Sequence, residues 1–115
     1  MADQDQLSTS QERLSASEWQ IMRICWRLGR STVRDVLRED LKTRSRDYRT
    51  ILTFMTRMTK KGWLKVEKEG NTNYYKPAVH EGQALEEEIR RFLDHVVGPE
   101  PQGRELLNRI LSEGG

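Results

Sequence analysis

Three helix-start signals in succession, followed by strand-like alternation, constrain the fold of this chain more than any other feature. Ser15, Thr32 and Asp47 each offer an N-cap, and apolar residues recur at helical spacing after each of them. Gly29 and Gly62 follow the first and third of these segments, where a glycine often ends a helix. The pattern predicts three helices, of which the second is short.

The next segment has the pattern of a β-hairpin. Trp63–Lys68 alternate apolar and polar side chains, Glu69–Asn73 are turn-forming residues, and Tyr74–Pro77 resume an extended strand. A short helix, a tight connection, a further helix and a hairpin are together typical of a helix-turn-helix with a wing. The predicted fold is therefore mainly α with a small β-hairpin wing, a winged helix-turn-helix domain followed by C-terminal helices.

Apolar residues at helical spacing return after Pro77, stop at Gly98–Pro101 and then resume. A chain of 115 residues has a thin core, and these side chains exceed what two short helices can hide. We expect a homodimer interface, with packing back onto the first helix as the alternative. The predicted organisation is a disordered tail over residues 1–13, a winged-helix domain over 14–78 and a helical dimerisation region over 79–115. The candidate interface residues are Leu85, Ile89, Phe92, Leu93, Val96, Leu106, Leu107, Ile110 and Leu111.

Charge is unevenly distributed, although the net charge is only +2. Residues 31–68 hold eleven Lys or Arg against five Asp or Glu, whereas residues 81–115 hold four against eight. A basic middle beside an acidic end predicts one surface for a polyanion and another for protein contact. Solvated charge without a specific purpose is the alternative.

The outer side of the third helix carries the residue types that DNA recognition needs. Arg49, Thr50, Thr53 and Arg57 combine cations with small hydroxyl side chains that allow close approach, and Arg46 lies beside them. Because any amphipathic helix needs a polar face and any hairpin tip needs turn residues, purely structural roles are the alternative. The further candidates for DNA contact are Lys60, Thr32, Lys68, Asn71 and Asn73.

Enzymatic and metal-binding classes are disfavoured by the residue inventory. His80 and His95 are fifteen residues apart, and Cys25 is the sole cysteine, so neither a zinc motif nor a disulfide framework is present. No nucleophile elbow or phosphate-binding glycine loop occurs. We expect a protein that is not an enzyme and has no cofactor. The polar start and the lack of a long apolar run predict a cytoplasmic protein without membrane insertion.

Five sequence matches, taken in order, resemble the BlaI/MecI/CopY (penicillinase repressor) family of transcriptional regulators. One of them is Trp26 followed by Gly29, which is similar to the end of that family's first helix. The most specific is Thr50–Leu64, TILTFMTRMTKKGWL, which is similar to that family's "T-V-x-T-L-L-x-R-L-x-K-K-G-h-L". Leu14–Met22 resembles the opening helix of the family, and Ser31–Val36 resembles its second-helix entry. Tyr74–Pro77 is similar to its wing strand, and the resemblance extends over about Leu14–Leu111.

The resemblance implies a dimeric repressor that binds pseudo-palindromic operator double-stranded DNA and dimerises through its C-terminal helices. By position, Arg49, Thr50, Thr53 and Arg57 are the implied recognition-helix contacts. The family usually has a polar or basic residue where Leu52 stands, and often proline where Tyr48 stands. Base preference at that edge of the helix is therefore expected to differ.

The inducing signal stays open. The copper-responsive branch of the family carries a C-terminal cysteine cluster, which a chain with Cys25 alone lacks. The β-lactam branch is released by cleavage at an Asn-Phe bond after sensor signalling, and Gly98–Pro101 contains no such dipeptide. Cleavage by a membrane sensor protease is one candidate for derepression.

Two further function classes fit the same pattern. A winged helix can dock an acidic protein partner instead of DNA, although protein hot spots favour Trp and Tyr over a threonine-rich face. A regulator that responds to a small molecule would need an apolar pocket between the winged helix and the C-terminal helices.

Overall fold

The computed structural model describes residues 12–114, so most of the tail predicted over residues 1–13 lies outside it. The chain divides into two compact units at the junction between Val79 and His80. No helix within the described part of the chain combines the length and apolar character that crossing a bilayer requires.

The first unit is a winged helix, as the sequence predicts. Its helices are α1 (Ala16–Leu28), α2 (Val33–Asp40) and α3 (Tyr48–Lys60), and they precede the antiparallel strands β1 (Leu64–Glu69) and β2 (Thr72–Pro77). The hairpin turn is shorter than the sequence predicts, since β2 begins at Thr72 rather than at Tyr74. Gly70 has a φ of 61°, a left-handed conformation that favours glycine, and this allows so tight a turn.

Side-chain caps define where the three helices begin. The hydroxyl of Ser15 accepts from the backbone N–H of Glu18, and the carboxylate of Glu18 accepts from the backbone N–H of Ser15. Thr32 and Asp35 form the same reciprocal box at α2. Asp47 caps α3 by accepting from the backbone N–H of Thr50 at 2.9 Å. The three predicted N-caps are therefore confirmed.

The core of this unit lies where the inner faces of the helices meet the base of the hairpin. Ile21, Val36, Ile51 and Met55 are fully buried. Cys25 is also buried, and burial raises the pKa of its thiol to about 12, which leaves it protonated and unreactive at neutral pH.

A cluster of three tryptophans holds both ends of the winged helix. The ring centroids of Trp19, Trp26 and Trp63 lie 5.6 to 6.5 Å apart. The indole N–H of Trp63 donates to the carbonyl of Glu12 at 2.8 Å, and that of Trp26 donates to the carbonyl of Val79 at 3.0 Å. The cluster thus fixes where the chain enters and leaves the unit, besides burying apolar surface.

The second unit consists of α4 (Glu81–Phe92), a π-helical turn over Leu93–Val97 and α5 (Pro101–Gly114). The π turn extends α4 and is not predicted by the sequence, because apolar spacing does not separate α from π hydrogen bonding. Gly98, with a φ of 73°, ends the turn where the sequence predicts a break. At Gly103 a Cβ atom would lie 2.6 Å from the carbonyl oxygen of Val97, so α5 begins in close contact with the turn.

Candidate nucleic-acid interface

The outer face of α3 is an exposed stripe of cations and hydroxyl groups, hereafter the α3 outer face. Its inner face is fixed by Ile51, Met55 and Met58, all fully buried, so the opposite side of the helix must face solvent. The exposed residues of the α3 outer face are Arg49, Leu52, Thr53, Thr56, Arg57 and Lys60.

The α3 outer face contains four of the six candidate DNA-contact residues that the sequence predicts in and beside this helix. Arg49, Thr53, Arg57 and Lys60 are exposed together, whereas Thr50 is half-buried at the edge. The helical spacing of 49, 53, 56 and 60 centres the exposed stripe about a sixth of a turn away from the stripe through 50, 53 and 57 that the sequence favours. The shift brings Thr56 and Leu52 into the site.

Arg46, the sixth nominee, lies apart from this face. Its guanidinium donates to Oδ1 of Asp40 at 2.7 Å and to Oε1 of Gln20, and its side chain is 16% exposed. It also lies 5.7 Å from the ring centroid of Phe54. Arg46 is therefore bound within the helix-turn-helix, where it connects α1 and α2 to the segment that precedes α3.

Lys61 is likewise engaged within the domain. Its ammonium lies 2.7 Å from Oε1 of Glu18 and donates to the carbonyl of Arg13 at 3.1 Å. Burial raises the pKa of Glu18, but the hydrogen bonds from Lys61 and from the backbone and hydroxyl of Ser15 outweigh it and lower the pKa overall. This ion pair joins the start of α1 to the end of α3 and so fixes the orientation of the α3 outer face.

The two faces of the wing differ in character. Strand register pairs Val66 with Tyr75 and Lys68 with Asn73, so these four side chains share the face that includes the buried Tyr75. Of the wing residues that the sequence nominates, Lys68 and Asn73 therefore lie on the inner side of the hairpin, and Asn71 lies in the turn.

Both glutamates on the other face of the wing are paired with cations. Lys76 lies 3.2 Å from Glu67, and Arg30 lies 2.9 Å from Glu69. The guanidinium of Arg30 also stacks on the ring of Tyr74 at 3.8 Å from its centroid. This outer side of the wing is thus locally neutralised, in contrast to the inner side.

A cleft of about 330 Å³ separates the wing from the N-terminal ends of α2 and α3. Thr32 and Asn73, both nominated from the sequence, line it. Tyr48 and Leu52 form its wall on α3, and the guanidinium of Arg34 lies 5.1 Å from the ring centroid of Tyr48. The cleft brings wing and helix residues together beside the α3 outer face, and Arg34 and Tyr48 are members that the sequence reasoning missed.

The acidic groups beside this surface serve as helix caps. The pKa of Asp47 is held below its usual value, chiefly by the hydrogen bond from the backbone N–H of Thr50. The pKa of Asp35 is likewise lowered, first by the backbone N–H of Thr32. Both carboxylates are therefore ionised at neutral pH and accept hydrogen bonds at helix N-termini. The positive charge of the α3 outer face comes from its own cations.

Comparison with known proteins places these features in a family. A profile described as penicillinase repressor matches residues 14–112. A Latilactobacillus sakei protein, described as an uncharacterized 16.5 kDa protein in the ptsI 3' region, is 37% identical over 94 residues, covering 80% of this chain and 63% of that protein. The penicillinase repressor of Bacillus licheniformis is 30% identical over 82 residues, covering 71% and 64% respectively. This chain thus spans slightly less than two thirds of either relative.

A solved structure matches the same region. It is the solution structure of the Bacillus licheniformis BlaI monomeric form in complex with the blaP half-operator. The two structures align with a TM-score of 0.55 and 30% identity, over 63% of this chain and 88% of that one. The similarity therefore covers nearly all of the protein bound to the half-operator.

Proposed function

Because the chain belongs to the penicillinase repressor (BlaI/MecI/CopY) family, we propose that it is a homodimeric, non-enzymatic transcriptional repressor that binds a pseudo-palindromic operator. The observation that carries the proposal is the α3 outer face, a basic and hydroxyl-rich helix surface presented by a winged helix. An α-helix of this kind fits the major groove of B-DNA, where base edges can be distinguished.

In this proposal the α3 outer face reads bases and its margins contact phosphates. Arg49 and Thr53 face the base edges, with Thr50 beside them, while Arg57 and Lys60 lie toward the C-terminal end of the helix. Short hydroxyl side chains allow the helix to approach closely, and the cations supply charge-assisted contacts. Arg46 is given a positioning role instead, because its guanidinium is engaged by Asp40 and Gln20.

The wing adds a second contact with the backbone of the duplex. Lys68, Asn71 and Asn73 lie at the tip and on the inner side of the hairpin, and Thr32 lies across the cleft at the start of α2. Lys68 and the neutral donors beside it suit contacts with phosphate oxygens, which carry no sequence information.

Dimerisation is proposed for the C-terminal unit. Ile89, Val96, Ile110 and Leu111 are between 56% and 69% exposed, so a large apolar surface is left uncovered within one copy. An isologous pairing would bury this surface and carry two winged helices to half-sites about 34 Å apart, one turn of DNA. The other proposed interface residues are Leu85, Phe92, Leu93, Leu106 and Leu107.

A repressor must be released by a signal, and here the signal is unidentified, with proteolysis by a membrane sensor protease as one candidate. The protein would act in the cytoplasm, where its operator is accessible.

The proposal is tested by selecting duplexes from a random-sequence library with the full chain and measuring their affinity against a scrambled duplex. We expect tight binding to a palindromic sequence that weakens steeply with salt, because phosphate contacts release counterions. Arg49→Ala should lower affinity at least tenfold, whereas Lys65→Ala, on the outer side of the wing, should leave it unchanged.

A different outcome would support another function class. Binding to the selected duplex no tighter than to the scrambled one would reject the repressor and favour a module that docks an acidic protein. The α3 outer face argues against such docking, because cations and threonines predominate on it and the exposed Tyr48 lies only at its wing-side edge.

A further inference from the structure

Leu52 is an apolar side chain at the wing-side edge of an otherwise polar binding surface. It is 36% exposed, although it belongs to the α3 outer face with Arg49, Thr53 and Thr56. It lines both the cleft beneath the wing and a shallow depression of about 380 Å³ that Thr53, Thr56 and Arg57 also line. Leu52 therefore occupies the ridge between the wing and the centre of the recognition surface.

The neighbours of Leu52 give this ridge an apolar edge. Tyr48 precedes it by one helical turn, is 41% exposed and faces the same cleft. Arg34 stacks near the ring of Tyr48, and Arg49 lies at the start of the same helix. An apolar edge flanked by cations is suited to a ligand that combines negative charge with a small apolar group.

DNA offers one apolar group of this kind in its major groove. Among the base edges displayed there, the C5-methyl group of thymine is the apolar contact, and the surrounding phosphates match the flanking cations. Leucine is under-represented among the residues that contribute most of the binding energy in protein–protein interfaces. The flanking cations favour DNA as the partner, and the thymine methyl group is then the apolar group that fits this edge.

We propose that Leu52 is a specificity-determining residue that contacts the C5-methyl group of a thymine in each operator half-site. The inference rests on the proposed function, because it requires α3 to lie in the major groove. It goes beyond that function by naming the base, and the atom on it, that one side chain recognises.

The experiment replaces each thymine of the library-selected duplex in turn by deoxyuridine, which lacks only the methyl group. For the full-length wild-type chain we expect the dissociation constant to rise about fourfold at one position per half-site, as for the loss of one buried methyl contact. The Leu52→Ala chain should bind the thymine and deoxyuridine duplexes equally well at that position, while keeping its sensitivity elsewhere.

Two controls separate this contact from general effects. Leu41→Ala removes the same side chain from a more exposed position at the end of α2, and it should retain the full sensitivity to deoxyuridine. Replacing the thymine–adenine pair by a cytosine–guanine pair should lower the affinity. Using 5-methylcytosine in that pair should restore part of the loss, because the methyl group is present again. Alanine is a strong helix former, so both variants should fold.

The outcomes are distinguishable from those of the proposed function. If no duplex outcompetes the scrambled one, the repressor itself is rejected, and this inference with it. The selected duplex could bind tightly and yet lose no affinity on deoxyuridine substitution at any position, or lose the same affinity with wild type and with Leu52→Ala. Either result would overturn the thymine contact but leave DNA binding intact. A selected site without thymine in its half-sites would overturn it as well.

Discussion

The guanidinium of Arg46 donates a 2.7 Å hydrogen bond to the carboxylate of Asp40, and so ties the last residue of α2 to the segment that leads into α3. Asp40 is only 1% exposed, and Gln20 of α1 accepts from the same guanidinium. The relationship sets the geometry of the helix-turn-helix from inside the domain. We therefore expect Arg46 to influence DNA binding through the orientation of α3 and not by contacting DNA.

Replacing Arg46 by Ala should therefore reduce stability before it affects DNA contacts. Removal of one partner leaves the Asp40 carboxylate buried without its cation, which costs about 3 kcal/mol of unfolding free energy. Urea unfolding followed by tryptophan fluorescence measures this, since the Trp19, Trp26 and Trp63 cluster lies in the same unit.

The matched control is Arg57→Ala on the exposed face of α3. It should cost less than about 1 kcal/mol of stability and yet lower DNA affinity more than Arg46→Ala does, measured where both variants are folded. The reverse ranking would place Arg46 at the DNA and remove its positioning role.

The limits of the sequence pattern at this site have a physical cause. Capping at Ser15 and Thr32 is local, since each partner lies three residues away, and both caps were predictable. Arg46 differs because its partner Gln20 is 26 residues away, and only the folded chain brings the two together. Periodicity likewise fixes the core side of α3 and puts Thr56 on its polar side, but it leaves the centre of the exposed stripe uncertain by less than one residue, so Thr56 was not among the predicted contacts.

The winged-helix fold itself was predictable, because helix caps, apolar spacing and hairpin alternation all indicate the same architecture. The cleft beneath the wing was not, because it depends on how the hairpin lies against α2 and α3. Arg34 and Tyr48 meet there through a cation–π contact that no sequence spacing reveals. The π-helical turn after Phe92 was not predictable for a different reason, because π and α hydrogen bonding leave the same apolar pattern in the sequence.

Thr53→Val and Lys60→Ala should change DNA binding in different ways. Thr53→Val removes a hydroxyl group from the centre of the α3 outer face while keeping the side-chain shape, so it should relax the preference for the selected duplex. Lys60→Ala should weaken binding to all duplexes by the same factor, because a phosphate contact carries no sequence information. Competition binding against single-base variants of the duplex measures both effects. A uniform loss of affinity in both variants would contradict the assignment of Thr53 to base recognition.

The wing should contribute one phosphate contact through Lys68. We expect Lys68→Ala to lower affinity for every duplex and to reduce the slope of log affinity against log salt by about one. Lys65→Ala is the matched control, since strand register places Lys65 on the opposite face of the hairpin. Equal effects of the two substitutions would mean that the wing acts only through its net charge.

The apolar face of α5 should hold the dimer together. Ile110 is 59% exposed, and Ile110→Glu would place a charge in the proposed interface, which should shift the chain to monomers at micromolar concentration. Asn108→Glu adds the same charge on the other side of α5 and should leave the dimer intact. Sedimentation velocity measures the change, and circular dichroism checks that the helices persist. A dimer that survives Ile110→Glu would locate the interface elsewhere.

Stability should fall in acid partly through Glu18. Its pKa in the folded chain is below the ordinary value of 4.5, so the unfolded chain binds more protons as the pH falls toward and below that value. The stabilisation is therefore fully present above pH 5 or so and is lost as the pH falls through the folded pKa. Urea unfolding at pH 3 to 6 should show a shallower loss for Glu18→Gln than for wild type.

Lys61→Met provides the complementary test of that ion pair. Without the ammonium 2.7 Å from its carboxylate, Glu18 keeps the burial that raises its pKa and loses a main group that lowers it. Protonation of Glu18 should then lower the free energy of unfolding less than in wild type. The variant should therefore lose less stability than wild type between pH 6 and 4, although it is less stable at neutral pH. A pH profile parallel to that of wild type would show that the Ser15 cap alone sets the titration of Glu18, and that Lys61 does not hold α3 through this carboxylate.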